Sequence, residues 1–362
     1  MAEPLKYYYS KSEVERMARL LEKAHPSFSG KRFVTNVLDA QWDSRELKER
    51  MRHITQCIGK ELKLPYPKQI EVLEKVAPEF SGIVGFVFPD FIEVFGIDDL
   101  KTSLRAMEKF TVYSTSEFAV RPFLLRYPKE VMAQMQKWST HKNEHVRRFS
   151  SEGCRPRLPW AMAIPALKKD PAPVLPILEQ LKNDPSEYVR RSVANNLNDI
   201  SKDHPNLALE ISSKWKNISP ETDKLVRHAL RGLLKKGEPK ALAIMGINHK
   251  ADAKVEKFKL SSGKIKRGEK MSFAFELENT DKKKHTYRVE YGIDYLKSNG
   301  KHNRKVFRMR DVILQSGEKV QLQSSQSFAD MTTRKHYPGA HRIHVLINGK
   351  PLAELDFLFI EK

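Results

Sequence analysis

The spacing of apolar residues changes once along this chain, near Gly246. Before Gly246, apolar side chains recur every three or four residues, as on one face of a helix. From Ala253 onward they alternate with polar side chains, as on a strand with one buried face. We therefore predict a multidomain protein that is α-helical and then β, with a helical domain over 1–246 and a β domain over 247–362.

Helices are predicted throughout the first domain. Val14, Met17 and Leu21 share one helix face, and Ser12 followed by Glu15 has the capping-box spacing that favours a helix start at Ser12. The other predicted helices are separated by short turns and cover 45–58, 68–77, 83–95, 98–110, 115–126, 128–139, 143–153, 160–168, 171–182, 186–199, 205–215, 220–236 and 238–245.

A repeated Val-Arg pair runs through the second half of the helical domain. The pairs begin at Val146, Val189 and Val226, which are 43 and 37 residues apart. HEAT-type helical hairpins repeat about every 40–47 residues and stack into a curved solenoid. The sequence therefore predicts a HEAT-like repeat solenoid.

The second domain has the pattern of an antiparallel β-sandwich. Alternation is regular over 271–277, 287–293 and 343–347. Asn348-Gly349 is a strong signal for a two-residue hairpin turn. At least six short strands within 116 residues favour an immunoglobulin-like architecture, although the Cys–Trp–Cys spacing of antibody domains is absent.

Charge indicates the class of partner. The chain has 65 Lys and Arg against 45 Asp and Glu, a net charge of +20. The net positive charge per residue is higher in residues 247–362, which have 24 basic and 14 acidic residues, than in the first domain. Such an excess favours a polyanionic partner, because clustered cations release counterions from a phosphate backbone. Two simpler interpretations stay open: the charge only keeps the protein soluble, or the β domain only stabilises the solenoid.

Several classes of protein are excluded by missing motifs. The sequence has no GxxxxGK[ST] loop, HExxH, CxxC or GxSxG motif, so we expect no metal and no nucleotide or other cofactor. No apolar run is long enough for a membrane span, and the first residues do not resemble a secretory signal. Two cysteines, Cys57 and Cys154, fit a reducing compartment. We expect a cytoplasmic monomer.

The segment EHVRRFSSEGCRPRLPW, residues 144–160, concentrates charge around one inter-helix corner. Gly153 is expected to end a helix in the left-handed conformation, and Pro159 to begin the next one. This arrangement would place Glu152 and Trp160 on either side of the corner. Two ordinary interpretations remain at this point. Glu152 has the spacing of a helical salt bridge to the arginine four residues before it, and Trp160 has the character of a core residue.

The strings EHVRR and SSEGCRPRLPW, together with STSEFAVRPFL, resemble the AlkC branch of the AlkC/AlkD alkylpurine DNA glycosylases. The resemblance covers most of the chain, including an immunoglobulin-like C-terminal domain. It implies excision of cationic N3-alkylated bases, 3-methyladenine and 3-methylcytosine, from bent double-stranded DNA without a deep base pocket. It also implies that Glu152 is the catalytic carboxylate, Glu117 a second acidic residue and Trp160 a contact to the lesion nucleotide, with Arg155 bracing Glu152 or a phosphate.

Arginines of these strings and of the repeat are the predicted phosphate contacts. Asp184 and Arg190 have the spacing of a structural Asp–Arg ladder, so Arg190 is interpreted mainly as structural. The predicted DNA-binding residues are Arg121, Arg147, Arg148, Arg155, Arg157, Arg191 and Arg227. The β domain is predicted to clamp the DNA. The alternative function is a non-catalytic HEAT-repeat scaffold that binds nucleic acid.

Overall fold

The structure is a computed structural model, which describes residues 3–329 and 335–361. The described chain forms two compact units. One contains Glu3–Ala208 and Trp215–Ala229, and the other contains Leu209–Lys214 and the chain from Leu230 onward.

Helices make up the chain as far as Ile244. Their bounds are α1 Lys11–Ala24, α2 Gly30–Val37, α3 Leu47–Leu62, α4 Tyr66–Val76, α5 Val87–Phe95, α6 Leu100–Phe110, α7 Val120–Arg126, α8 Pro128–Trp138, α9 Glu144–Gly153, α10 Pro165–Lys169, α11 Leu175–Leu181, α12 Glu187–Asp203, α13 Pro205–Trp215, α14 Pro220–Ala229, α15 Arg231–Lys235 and α16 Pro239–Ile244. No helix among the described residues is long and apolar enough to cross a membrane.

The start of α1 differs from the prediction. Its N-cap is Ser10, whose side chain accepts a hydrogen bond from the Glu13 amide. The capping box proposed at Ser12 is therefore wrong, because a serine two residues earlier caps the helix. The predicted face is correct, since Val14, Met17 and Leu21 are all buried.

The helices that carry the repeated Val-Arg pairs pack side by side. α12 lies between α9 and α14. Arg147 on α9 donates hydrogen bonds to the carbonyls five and six residues before it, and Arg190 on α12 makes the same two contacts within its own repeat. The two arginines thus occupy equivalent positions, as the repeat predicts.

The predicted helix at 160–168 begins five residues late, at Pro165. Residues 154–164 form an irregular loop, called here the tryptophan loop, which joins α9 to α10. The residue before a proline is disfavoured in helical conformation, and Ile164 is extended. Trp160 therefore lies in a loop and not on a helix.

The β region is a two-layer sandwich. Its strands are β1 Ala253–Leu260, β2 Lys264–Lys266, β3 Lys270–Asn279, β4 His285–Leu296, β5 His302–Leu314, β6 Lys319–Ser327, β7 Gly339–Ile347 and β8 Lys350–Ile360. One sheet has the order β1-β3-β6 and the other β2-β8-β7-β4-β5. All described pairings are antiparallel except that of β2 with β8.

The core of the sandwich lies between the two sheets. Alternate residues of β3 and β4 face inward and are buried, as their spacing predicts; these are Met271, Phe273, Phe275, Leu277, Tyr287, Val289, Tyr291 and Ile293. Asn348 and Gly349 have positive φ angles of 52° and 80° and connect β7 to β8. This is the conformation that the predicted hairpin turn requires.

The last helices belong to the same compact unit as the strands. A Cβ atom at Gly237 would lie 3.1 Å from the Cα of Gly349 in the β7–β8 turn. The Asn348 side chain donates a hydrogen bond to the carbonyl of Asn248. Segment 230–246 therefore packs with the β region, although the predicted domain division places it with the solenoid.

Candidate active site

Glu152 lies in the last turn of α9 and is 5 % exposed. Its Oε1 accepts a hydrogen bond of 2.6 Å from Arg155, which follows the helix. The same oxygen lies 3.5 Å from a guanidinium nitrogen of Arg148, one turn earlier on α9. The predicted i,i+4 pair is thus present, but it is only one of two cationic contacts to Glu152.

Glu117 lies in the turn before α7 and is 8 % exposed. Its Oε2 accepts a hydrogen bond from the Thr115 hydroxyl and is ion-paired with Arg148. Arg148 therefore bridges the two carboxylates that the family resemblance singles out. The structure brings Glu117 and Glu152 together although 35 residues separate them.

Arg148 is enclosed by these carboxylates and by an aromatic ring. Its guanidinium lies 5.1 Å from the ring centre of Tyr188, at the start of α12. Burial acts to lower the pKa of Arg148, but Glu117 and Glu152 outweigh it and leave the pKa above its usual range. The cation between the carboxylates is therefore permanent.

Arg155 is fixed from its other side by Asp199 on α12. The Nε of Arg155 donates a hydrogen bond of 2.8 Å to Asp199, whose second oxygen accepts one from Lys202. Arg155 is 6 % exposed and Asp199 is 1 % exposed. Of the two roles proposed for Arg155, the structure shows the brace on Glu152.

Each of the two glutamates bonds to the described part of the chain through one oxygen only. Among residues 3–329 and 335–361, the hydrogen bonds and ion pairs of Glu152 all involve Oε1, and those of Glu117 all involve Oε2. The opposite oxygen of each carboxylate can therefore accept a hydrogen bond from water or stabilise a nearby positive charge.

Trp160 is the more exposed of two exposed aromatic residues in this region, the other being Tyr188. Trp160 is 61 % exposed and has a φ of 63°, in the left-handed region. The interpretation of Trp160 as a core residue is therefore wrong.

Gly153 was predicted to be left-handed, but its φ is not positive. A Cβ atom there would lie 2.9 Å from Met135 and 3.0 Å from Val120. Close packing, and not backbone conformation, explains glycine at 153.

Arg121 holds the tryptophan loop in place. This arginine of α7 is fully buried and donates hydrogen bonds to the carbonyls of Gly153, Arg155 and Met162. Burial lowers the pKa of Arg121 to about 10. The prediction that Arg121 contacts DNA is wrong, because its guanidinium has no accessible surface and is engaged by backbone carbonyls.

The aspartate ladder also differs from the prediction. The Asp184 carboxylate accepts two hydrogen bonds, of 2.6 and 3.0 Å, from Arg147 of the preceding repeat and none from Arg190. The stacking of hairpins brings the earlier arginine to this carboxylate. Arg147 is thereby occupied within the protein, so the structure supports a structural role for it.

Arg148 and Arg155 were also predicted to bind DNA, but both are largely buried and are ion-paired with carboxylates of the protein. The other predicted phosphate contacts are more accessible. Arg191 is exposed and has no hydrogen bond or ion pair with any residue that the structure describes. Arg157 is partly exposed and ion-paired with Asp203. Arg227 is half-buried and has partners within the chain.

Asp199 and Tyr188 belong to the site but were not identified from the sequence. Asp199 lies 44 residues after Arg155, so no local spacing connects them. A signal was nevertheless present: the run Asn195-Asn196-Leu197-Asn198-Asp199 places polar residues around an otherwise amphipathic helix, and three of them are buried. Buried polar residues need partners, which here are the carbonyls of Ser151 on α9 and Ala229 on α14, and Arg155.

Two families match parts of the chain. Residues 98–231 match the family described as "DNA alkylation repair enzyme". Residues 254–361 match the one described as "Uncharacterised protein YhaZ, C-terminal Ig-like domain". The first match includes α9 and α12, and the second spans the strands.

Two individual proteins are similar over nearly the whole length. YhaZ from Bacillus subtilis (strain 168) is 43 % identical over 353 residues, which are 98 % of each chain. The solved structure of alkylpurine DNA glycosylase AlkC from Pseudomonas fluorescens, bound to DNA containing an abasic site analog, superimposes with a TM-score of 0.95. The sequence identity is 38 %, and the match covers 99 % of this chain and 100 % of that one. The chain therefore belongs to the AlkC branch of the AlkC/AlkD family of DNA glycosylases.

Proposed function

We propose that this protein is a monofunctional glycosylase that hydrolyses the N-glycosidic bond of cationic N3-alkylated bases in double-stranded DNA. The proposed substrates are 3-methyladenine and 3-methylcytosine. The observation that carries the proposal is the pair Glu117 and Glu152, near the loop that presents Trp160. Each is held through one oxygen, and the other oxygen has no partner among the described residues.

The chemistry of the substrate suits this pair. An N3-alkylated base already carries positive charge, so it leaves with the bonding electrons as a neutral molecule and needs no general acid. Positive charge then develops on the deoxyribose, where an anionic carboxylate stabilises it. The same carboxylate can orient the attacking water and accept its proton as the new C1′–O bond forms.

We assign Glu152 to this catalytic role and Glu117 to a second, supporting charge. Arg155 holds Oε1 of Glu152 from one side, and Arg148 lies on the other. Because these contacts fix the carboxylate before DNA arrives, it does not have to reorganise as charge develops.

Trp160 is proposed to contact the lesion nucleotide. Its exposed ring can attract a cationic base through a cation–π interaction of about 0.5–2 kcal/mol. A ring that is 61 % exposed forms part of an open surface. This fits recognition of the damaged base without a closed pocket.

Basic residues of the helical domain and of the β region are proposed to supply the DNA affinity. Arg191, with Arg157 and Arg227, is proposed to contact phosphates, and the basic Ig-like region is proposed to clamp the duplex. The AlkC structure, which contains DNA with an abasic site analog, supports DNA as the partner.

Release of bases from methylated DNA by the purified protein tests the proposal. Glu152→Gln removes the charge while keeping the shape, so we expect single-turnover release of 3-methyladenine to fall by about 100-fold or more. Affinity for DNA containing an abasic analog should stay within about threefold, because phosphate contacts provide most of it.

Glu144→Gln is the matched control, since Glu144 is an exposed glutamate on the same helix. It should release bases at the parent rate. If Glu152→Gln is fully active and Glu117→Gln is not, the catalytic carboxylate is Glu117. If the parent binds methylated DNA in a salt-sensitive manner but releases no base, the protein is a binding scaffold.

A further inference from the structure

The backbone conformation of Trp160 depends on contacts with other parts of the chain. A φ of 63° is disfavoured for a residue with a Cβ atom, so surrounding contacts must keep the residue there. Arg121 fixes the carbonyls of Gly153, Arg155 and Met162, on both sides of Trp160. None of these hydrogen bonds involves the carbonyl of Trp160 itself.

That carbonyl accepts a hydrogen bond from the ammonium group of Lys48 on α3, 112 residues earlier in the chain. The same ammonium group lies 4.8 Å from the ring centre of Phe118, the residue after Glu117. One cation thus contacts both the loop that carries Trp160 and the turn that carries Glu117.

Nearby carboxylates do not compete strongly for Lys48. Asp90 and Glu93 lie close to this part of α3, but both are ion-paired with Arg52 at 2.8 and 2.6 Å. Both carboxylates are thus held by Arg52, whereas the ammonium group of Lys48 donates its hydrogen bond to the tryptophan loop.

We propose that Lys48 is a positioning residue that fixes the Trp160 backbone relative to the Glu117 turn. Lys48 acts through these two elements and does not touch the reacting atoms. Its importance for base release rests on the function proposed above, whereas its hold on Trp160 is independent of that function.

The hold on Trp160 can be observed directly by fluorine NMR of protein labelled with 5-fluorotryptophan. The chain has four tryptophans, and Trp42, Trp138 and Trp215 are buried. Trp160→Phe assigns the fourth resonance. We expect Lys48→Met to shift or broaden this resonance alone, and Lys48→Arg to restore it, because a guanidinium can also donate to the carbonyl.

Lys60→Met is the matched control, since Lys60 is an exposed lysine on the same helix. It removes the same charge and should leave all four resonances in place. An unchanged Trp160 resonance in Lys48→Met would overturn the proposal.

Kinetics separate positioning from phosphate binding. We expect Lys48→Met to lower single-turnover base release by about fivefold, which equals about 1 kcal/mol for the removal of one hydrogen bond. The salt dependence of DNA affinity should not change. A fall in the slope of log affinity against log salt by about 0.9, together with an unmoved Trp160 resonance, would show that Lys48 instead contacts a phosphate.

The two proposals can fail separately. If the parent protein releases no base, the proposed function fails, and the NMR experiment still tests the contact between Lys48 and Trp160. If the parent is active and Lys48→Met leaves the Trp160 resonance unchanged, only the positioning role fails.

Discussion

Arg148 is the residue that allows Glu117 and Glu152 to lie close together. Its side chain is 13 % exposed, and its guanidinium contacts both carboxylates. Without this cation, two largely buried negative charges would repel each other and would lack their nearest shared counterion.

We therefore predict that Arg148→Met destabilises the protein by about 3–5 kcal/mol, the usual cost of breaking a buried ion pair. Urea-induced unfolding measures this change. Arg191→Met is the control on α12, where an exposed arginine should contribute less than about 0.5 kcal/mol. Equal losses in the two variants would show that Arg148 does not neutralise the site.

The sequence identified those site residues whose partners are near in the chain or whose motif is distinctive. Glu152 and Arg155 are three residues apart and were predicted together. Asp199 was missed because only the stacking of α12 against α9 brings it to Arg155. Arg121 was misassigned because a Val-Arg pair looks alike whether its arginine is exposed or, as here, buried under a loop.

Among the elements, the end of α9 is a place where close packing restricts substitution next to the candidate catalytic carboxylate. A Cβ at Gly153 would already lie 3.0 Å from Val120 on α7 and 2.9 Å from Met135 on α8. Met135 can move because its methyl group ends a flexible side chain. A branched side chain at 153 would need the helices themselves to shift.

Gly153→Val is therefore expected to reduce the free energy of unfolding by about 1–3 kcal/mol through overpacking. It should also lower base release, because Glu152 is the adjacent residue. Gly263→Val is the control, since Gly263 has open space around it. A stable, fully active Gly153→Val variant would contradict the close packing of α7, α8 and α9.

Three neighbouring strands of the larger sheet, β7, β4 and β5, share a cluster of charged side chains whose contribution to stability depends on pH. Asp294 on β4 pairs with Arg304 on β5 and accepts a hydrogen bond from His344 on β7. The hydrogen bond from Arg304 is the main cause that lowers the pKa of Asp294 to about 2, from an ordinary value of 3.8. The unfolded chain therefore binds this proton more readily than the folded one.

The contribution of Asp294 to the free energy of unfolding is therefore fully present above about pH 4 and is lost as the pH falls towards 2. Asp294→Asn should flatten the decline of thermal stability in this range and lower stability at pH 7. Asp98→Asn, at a carboxylate that is 81 % exposed, is the control and should change the profile less. Parallel profiles for the parent and Asp294→Asn would refute the assigned pKa.

Helices and strands could be predicted from the sequence where one face of the element is buried along its whole length. The alternation in β3 and β4 predicted both strands. β5 was not predicted, because cations occupy much of this edge strand and obscure its alternation. Local sequence favours a helix start at Pro159, but the helix starts only at Pro165. Hydrogen bonds from Arg121 to carbonyls stabilise the loop before it, and Ile164 is extended because a proline follows it.

At the scale of the whole molecule, the sequence predicted the succession of a helical and an Ig-like region because each has its own period of apolar residues. The boundary between the two compact units could not be predicted from the spacing of apolar residues. α15 and α16 have helical spacing like the helices before them, yet they group with the strands. Contacts such as that between Gly237 and Gly349 determine this grouping, and periodicity does not encode them.

The basic β region allows a prediction about the intact protein on DNA. Lys282, Lys283 and Lys284 are consecutive exposed lysines between β3 and β4. If the region clamps DNA, replacing all three by Gln should weaken binding and reduce the slope of log affinity against log salt by about 0.9 for each phosphate that is no longer neutralised. The control replaces three exposed lysines of the helical unit, Lys23, Lys101 and Lys129, and changes net charge equally. Because a general charge effect would act on both variants alike, equal slopes would eliminate the clamp, whereas a selective reduction would locate it in the β region.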